Sequence, residues 1–342
     1  MKKKHLFTIV MSLFIVPALC FCFTAGASAK TITLTYSNFF PPTHIQSKLA
    51  AAWCKAVEKE THGRVKIQYY PGGTLTKAPQ CYDGVVEGLS DIGFSVLAYS
   101  RGRFPVMGAV DLPFGYPSGI IATRVANDVY NKFKPKEFRD THILYLHGHG
   151  PGIVWTKSRP VRTLADMKGL KLRGTGTSAK IIKALGGTPV GIPMPETYQA
   201  IQKGTVDGGV YPCESNKGWK LGEVVRYGTA DFSAAYTTTF FVTMNKDKWN
   251  SLPTDIQKTI DKIDKEWIIK HGKAWDHSDL VGIKYFLSQG GELIGLNRKQ
   301  SMKWKKAVRP IINNYIKVLN KKGLNGKKIV HFIERDLKKL EK

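Results

Sequence analysis

Acidic residues are scarce in this chain: 26 Asp and Glu stand against 52 Lys and Arg in 342 residues, for a formal net charge of +26. Cysteine is scarce as well, five in all. Cys20 and Cys22 fall in an apolar N-terminal run, which leaves Cys54, Cys81 and Cys213. An odd number excludes full intramolecular pairing, though one disulfide remains open. Cys54 lies on the apolar side of a helical pattern and reads as a buried thiol. Spacing and partners for a zinc site are absent. No G-x-S-x-G, P-loop or H-E-x-x-H occurs, so the commonest hydrolase, nucleotide-binding and metalloprotease signatures are missing. There is no short repeat and no low-complexity linker. Beyond Phe23 no run is long and apolar enough to cross a bilayer.

What is present begins with MKKKH, an apolar stretch from Leu6 to Phe23, and Ala27-Ser28-Ala29. That is the charged, apolar and small-residue order of an export signal, with cleavage expected after Ala29 and Lys30 as the new N-terminus. An uncleaved anchor is the rival, and Pro17 with the small-residue ending argues against it. Roughly 310 residues remain, which favours two domains. Lys2 to Lys4 belong to the signal, so the exported chain is still strongly basic. Nucleic acid is not the expected partner, because the lysines spread along amphipathic helices and export removes the chain from nucleic acid. A basic surface instead favours encounter with small anions or acidic partners.

Periodicity gives an α/β pattern. Thr31 to Ser37 alternate as a strand, followed by an Asn38-Phe39-Phe40-Pro41-Pro42 loop. From Thr43 a helix places Ile45, Leu49, Trp53, Ala56 and Val57 on one face. Val65, Ile67 and Tyr69 mark a second strand closed by Pro71-Gly72-Gly73. Asp91 to Leu97 reads as a third strand ending near Tyr99. The same order returns from Lys168 to Pro212. Leu170 and Leu172 alternate with Lys171 and Arg173, a helix stops at Gly186-Gly187, and Pro195 opens the next helix. A mainly parallel sheet follows, whose ligands bind at the carboxyl ends of strands. Arg173 is at such an end, and its planar fork matches a carboxylate. Phe240 to Asn245 forms another strand. Two helical stripes follow, Ile256, Ile260, Ile263 and Trp267, then Trp304, Val308, Ile311, Tyr315 and Leu319, both read as packing faces. The C-terminal KKGLNGKKIVHFIERDLKKLEK reads as a solvated amphipathic helix.

Several spaced blocks resemble one family in the same order. They are G-R-V-K-I-Q-Y-Y-P-G-G-T-L from Gly63, L-A-D-M-K-G-L-K-L-R ending at Arg173, P-M-P-E-T-Y from Pro193, Q-K-G-T-V-D-G through Gly208, and F-F-V-T-M-N-K-D-K-W from Phe240. The chain resembles the substrate-binding component of tripartite ATP-independent periplasmic (TRAP) transporters, the DctP-like type, over nearly all of its mature length. The resemblance implies an α/β, two-lobed periplasmic-binding-protein architecture, with chain crossovers and a long helix spanning both lobes. The expected division is a signal over 1–29, one lobe from 30–150 plus 240–280, and the other from 151–239 plus 281–342.

By the same resemblance Arg173 is the carboxylate clamp. Met194 falls where the family places an apolar or aromatic pocket residue. Tyr211 stands where dicarboxylate and sialic-acid relatives carry an asparagine. Ile153 stands where some relatives carry a second arginine, which shifts the expected ligand toward a monocarboxylate with an apolar or aromatic body. Phe39, Phe40, Tyr99, Trp219 and Phe240 are further wall candidates. His147 and His149 are placed on a loop near the lobe boundary, with His149 a candidate hydrogen-bond donor to ligand. Glu214 could accept a hydrogen bond from a ligand hydroxyl or amine, but capping of the following helix is the favoured reading. The implied function is capture of a small organic anion in the periplasm by a monomer that needs no cofactor or metal, and its delivery to membrane permease subunits. A sensory protein presenting the same ligand to a receptor kinase, or a secreted enzyme on this scaffold, are the readings from other classes.

Overall fold

The computed structural model describes residues 31–341; the expected export signal and cleavage site lie outside them. The chain builds two sheets. β1 (Ile32–Asn38), α1 (Ile45–Glu60), β2 (Val65–Tyr70), α2 (Cys81–Val86) and β3 (Ile92–Val96) begin the first, with β1 parallel to both β2 and β3. α3 (Gly119–Phe133) leads to β4 (Thr141–Gly148). The chain then passes directly into the second sheet through β5 (Gly152–Thr156). Next come β6 (Lys171–Arg173), α4 (Gly176–Ala184), β7 (Thr188–Val190), α5 (Met194–Gln202), β8 (Gly208–Pro212), α6 (Ser215–Gly218) and β9 (Tyr227–Ala230). β10 (Thr239–Asn245) returns to the first sheet, and α7 (Lys246–Ser251), α8 (Thr254–Ser288), β11 (Glu292–Gly295), α9 (Arg298–Lys321) and α10 (Gly326–Leu340) complete the chain. The sheet orders are β2-β1-β3-β10-β4 and β11-β9-β5-β8-β6-β7.

The sheets are mixed rather than mainly parallel as expected, and the antiparallel pairings have one cause. β10 runs antiparallel to β3 and β4, and β5 runs antiparallel to β8 and β9. These are the two strands that arrive from the other sheet by a direct link, without the helical crossover that a parallel neighbour needs.

α8 spans 35 residues, or about 50 Å. It packs on α1, α3 and β4 at one end and on α6 and β11 at the other. Two glycines let it approach that closely. A Cβ on Gly272 would meet Ile120 Cδ1 at 2.6 Å, and one on Gly282 would meet the Cys213 carbonyl oxygen at 2.1 Å. α9 packs on α4, while α10 packs on α3 and α9. One apolar cluster therefore joins Val125 and Val129 of α3, Ile181 of α4, Trp304 and Val308 of α9, and Ile333 of α10. Among the described residues no helix is long and apolar enough to cross a membrane.

The buried face of α1 is rotated from the expected stripe. Gln46, Ser47, Ala50, Trp53, Cys54 and Val57 are buried, whereas Ile45, Leu49 and Ala56 are only partly so. The inward polar residues have partners: Ser47 Oγ lies 2.7 Å from the Tyr69 hydroxyl, and Gln46 Oε1 meets His271 Nδ1 on α8. An apolar count could not anticipate partners so distant in sequence. Cys54, Cys81 and Cys213 are all buried and free, and burial pushes the Cys81 thiol up to about 12.

Two expectations follow. Gly282→Ala gains helix propensity, about 1 kcal/mol. The added methyl must displace a backbone carbonyl, however, and overpacking of that kind costs about 1–3 kcal/mol. Thermal denaturation should show a lowered midpoint; a raised one would mean that α8 can lift off Cys213 freely. The second concerns Asp111, whose Oδ1 accepts both Thr239 N and Thr239 Oγ1 at 2.8 Å where the chain enters β10. Burial raises its pKa to about 7, against the opposing pull of Thr239 and Lys180. The folded protein thus keeps a proton that the unfolded chain releases near pH 4. The stability contributed by this group falls as pH rises from about 4 to about 7. In urea denaturation, Asp111→Asn should gain on the wild type through that window, by at most about 1.4 kcal/mol per pH unit; parallel pH profiles would contradict the assignment.

Candidate functional site

β6 ends at Arg173, held in register between Val190 of β7 and Gly209 of β8. The side chain is 4 % exposed. Its Nε donates to the Ile192 carbonyl at 2.8 Å, which fixes the plane of the guanidinium. The Tyr99 hydroxyl lies beside the guanidinium; burial raises its pKa, and Arg173 pulls it down. Among the described residues no carboxylate pairs with Arg173. A buried cation without a counter-charge is costly.

Arg173 faces a cavity of about 40 Å³, far below the ~300–1,000 Å³ usual for an occupied small-molecule site, so its walls must part to admit a ligand. Arg173, Tyr211, Met194, Phe39, Phe40, Tyr99, His149, Trp219 and Phe240 all line it. The loop after β1 supplies Phe39 and Phe40, set by Asn38 Oδ1 accepting Phe40 N at 3.0 Å. Phe39 stacks on Trp219 at 5.9 Å, and Phe240 stacks on Trp275 of α8 at 5.0 Å. Opposite, Tyr211 stacks on Trp155 at 5.8 Å. Its hydroxyl is buried without a protein partner, and burial holds its pKa well above the usual phenol value, although Arg173 pulls it down. It remains protonated and able to donate.

Polar bonds cross between the elements of the two sheets. Met194 N donates to the Tyr99 hydroxyl at 2.9 Å. His44 Nδ1 accepts Gln46 N at the start of α1, so its Nε2 carries the proton and donates to Glu214 Oε2 at 2.9 Å. Glu214 Oε1 accepts from Ser215 Oγ at 2.6 Å. Glu214 does stand at the N-cap position of α6, but the expected cap bond is corrected: its side chain makes none. Its carboxylate is instead held by His44, 170 residues away, a partner invisible to local reading.

The histidine pair also differs from expectation. His147 lies inside β4, buried, with its Nδ1 accepting Trp275 Nε1 at 2.9 Å. His149 follows the strand and reaches the cavity, but its Nδ1 is 2.5 Å from the Gly150 carbonyl oxygen. A carbonyl can only accept, so the imidazole proton is committed there and the neutral ring has no donor left for a ligand.

Tyr236, Trp275, Thr175 and Thr238 line the cavity as well and were not anticipated. Trp275 continues the stripe through Trp267 at helical spacing, the one signal that marked it. Thr175 follows Arg173 and opens α4 with a capping box. Ile153 does not reach the cavity; it packs with Trp155 and Tyr211 in the core beside it. Among the described residues no cluster of three or more His, Cys, Asp or Glu is placed to hold a metal.

Residues 36–318 match the family described as bacterial extracellular solute-binding protein, family 7, or DctP. A TRAP solute-binding protein from a marine metagenome, specific for aromatic acid ligands and crystallised with 3-hydroxybenzoate, is 31 % identical, with 92 % of this chain and 100 % of that one covered and a TM-score of 0.87. A TRAP solute-binding protein from Rhodoferax ferrireducens T118, with copurified benzoate, is 30 % identical, with 90 % and 98 % covered and a TM-score of 0.85. The C4-dicarboxylate-binding periplasmic protein DctP of Rhodobacter capsulatus is 27 % identical over 255 residues, 72 % of this chain and 74 % of its own. With the two-lobed α/β fold and a site between its sheets in place, the chain belongs to the DctP family of TRAP-type solute-binding proteins.

Proposed function

We propose that this protein captures a small organic monocarboxylate with an apolar or aromatic body, in the periplasm, as a monomer, and hands it to the membrane permease subunits of a TRAP transporter. The observation that carries the reading is Arg173, a buried guanidinium with no paired carboxylate in an aromatic cavity. A ligand carboxylate supplies the missing charge, and the Tyr211 hydroxyl offers one further donor. The two aromatic-acid relatives point the same way. A dicarboxylate, as in the name of the Rhodobacter capsulatus relative, fits less well. Arg173 is the one Lys or Arg among the lining residues, and Glu214 is the lining acid. A second carboxylate would be desolvated without a cation, at a cost of several kcal/mol. No bound cofactor is called for, and capture involves no chemical turnover.

Titration calorimetry tests this directly. Phenylglyoxylate should bind more tightly than succinate. Arg173→Ala should weaken the aromatic acid by about 2–5 kcal/mol, thirty- to several-thousand-fold, and Arg173→Lys should also be poor because a point charge does not reproduce the fork. Succinate binding more tightly, or wild-type affinity in folded Arg173→Ala, would place the carboxylate elsewhere.

The lobes we assign are 30–150 plus 240–280 and 151–239 plus 281–342, moving about the segments that pass between the sheets. The His44–Glu214 and Tyr99–Met194 bonds belong to the closed arrangement, which a ligand favours by touching both sides. Small-angle scattering should show a smaller radius of gyration at saturation with the tightest binder of the titration. An unchanged profile would count against hinge closure.

A further inference from the structure

The hydrogen-bond inventory of the cavity constrains what the ligand must carry besides its carboxylate. His149 is 3 % exposed. Burial holds its pKa down to about 4; the Gly150 bond and Glu214 push it up and Arg173 pushes it down. The ring is therefore neutral near pH 7, and its single proton sits on Nδ1, donated to Gly150 O. Nε2 is left with a lone pair and no protein partner among the described residues.

Two donors beside His149 are engaged elsewhere, which leaves the Tyr211 hydroxyl as the unpartnered donor of the cavity. The Trp275 indole N–H goes to His147 Nδ1 at 2.9 Å. The Tyr236 ring stands perpendicular to His149 at 5.4 Å, but its hydroxyl donates to Val210 O at 3.0 Å. Both oxygens of Glu214 accept rather than donate. One acceptor thus stands open in the same cavity as one open cation. A carboxylate has no proton to offer it, and neither has a 2-oxo group.

Resting on the carboxylate-capture reading above, we infer that His149 Nε2 accepts a hydrogen bond from a ligand hydroxyl, so that the site selects hydroxy-substituted monocarboxylates over their unsubstituted and 2-oxo counterparts. The physical basis is asymmetric. An unsubstituted acid leaves Nε2 desolvated and unpaired, and a 2-oxo acid sets an acceptor against an acceptor, whereas a hydroxyl satisfies it.

Calorimetry on the purified protein with matched ligands provides the test. The pairs are mandelate with phenylacetate and 3-hydroxybenzoate with benzoate, which place the hydroxyl at two positions, and phenylglyoxylate stands as the 2-oxo partner of mandelate. The hydroxy member of at least one pair should bind about tenfold more tightly than its parent, and mandelate should exceed phenylglyoxylate. His149→Leu should bring the preference close to one, while Arg173→Ala should weaken both members alike. Equal affinities within both pairs on the wild type would overturn the inference without any variant, as would a preference that survives His149→Leu. Failure of all five acids to bind, or binding indifferent to Arg173→Ala, would instead overturn the carboxylate-capture reading and this inference with it. Binding through Arg173 without a hydroxyl preference would overturn the role of His149 alone.

Discussion

A guanidinium buried without a counter-charge is the constraint around which this structure is organised. Left alone, Arg173 would cost several kcal/mol in desolvation. The fold tolerates it because Nε is bonded to Ile192 O and the remaining donors face a cavity. The surroundings keep the charge uncompensated. The Tyr211 phenol is held protonated, and His149 is held neutral, so neither adds a charge of its own. On the proposed reading, stability is given up at this point to leave a cation ready for an anionic ligand.

The two sheets divide the work of the site. The first supplies aromatic surface through Phe39, Phe40 and Phe240, and α8 adds Trp275 beside it. The second supplies the charged and hydrogen-bonding groups at the carboxyl ends of β6 and β8, through Arg173 and Tyr211. α8, α9 and α10 pack on elements of both sheets. The helices thus form a shared base, while the polar bonds that cross the site, His44–Glu214 and Tyr99–Met194, are few. That contrast between a broad apolar base and a sparsely bonded mouth supports the hinge motion proposed above.

Much of this was legible in the sequence, for definite reasons. Arg173 could be read because a strand ending before a helix is a local pattern, and because motif blocks on either side of it agree with one family. Phe39 and Phe40 follow a strand by the same local logic. The parallel strand pairs came from periodicity, and the long helix from the family resemblance. What was not legible depends on contacts distant in the chain. Trp275 reaches the cavity only because α8 crosses it. Gln46 and Ser47 turn inward only because His271 and Tyr69 are there to receive them. Glu214 looked like a cap because its proton donor, His44, is on another sheet's helix. The donor or acceptor character of His149 depends on a backbone carbonyl whose position no pattern of residue types reveals.

The misreading of Glu214 leads to the last step of the argument. It is the acid among the lining residues of a cavity that holds an unpaired arginine, yet the two are not partners. Ser215 occupies one carboxylate oxygen and His44 the other, and His44 comes from the first sheet's side of the site. A carboxylate with both oxygens engaged is a weak competitor for the guanidinium. One of the two bonds that tie the sides together is therefore also one that keeps the protein's own acid from satisfying Arg173. On the proposed reading, closure and readiness for an external carboxylate are coupled at the His44–Glu214 hydrogen bond, and the ligand's charge completes what the fold withholds.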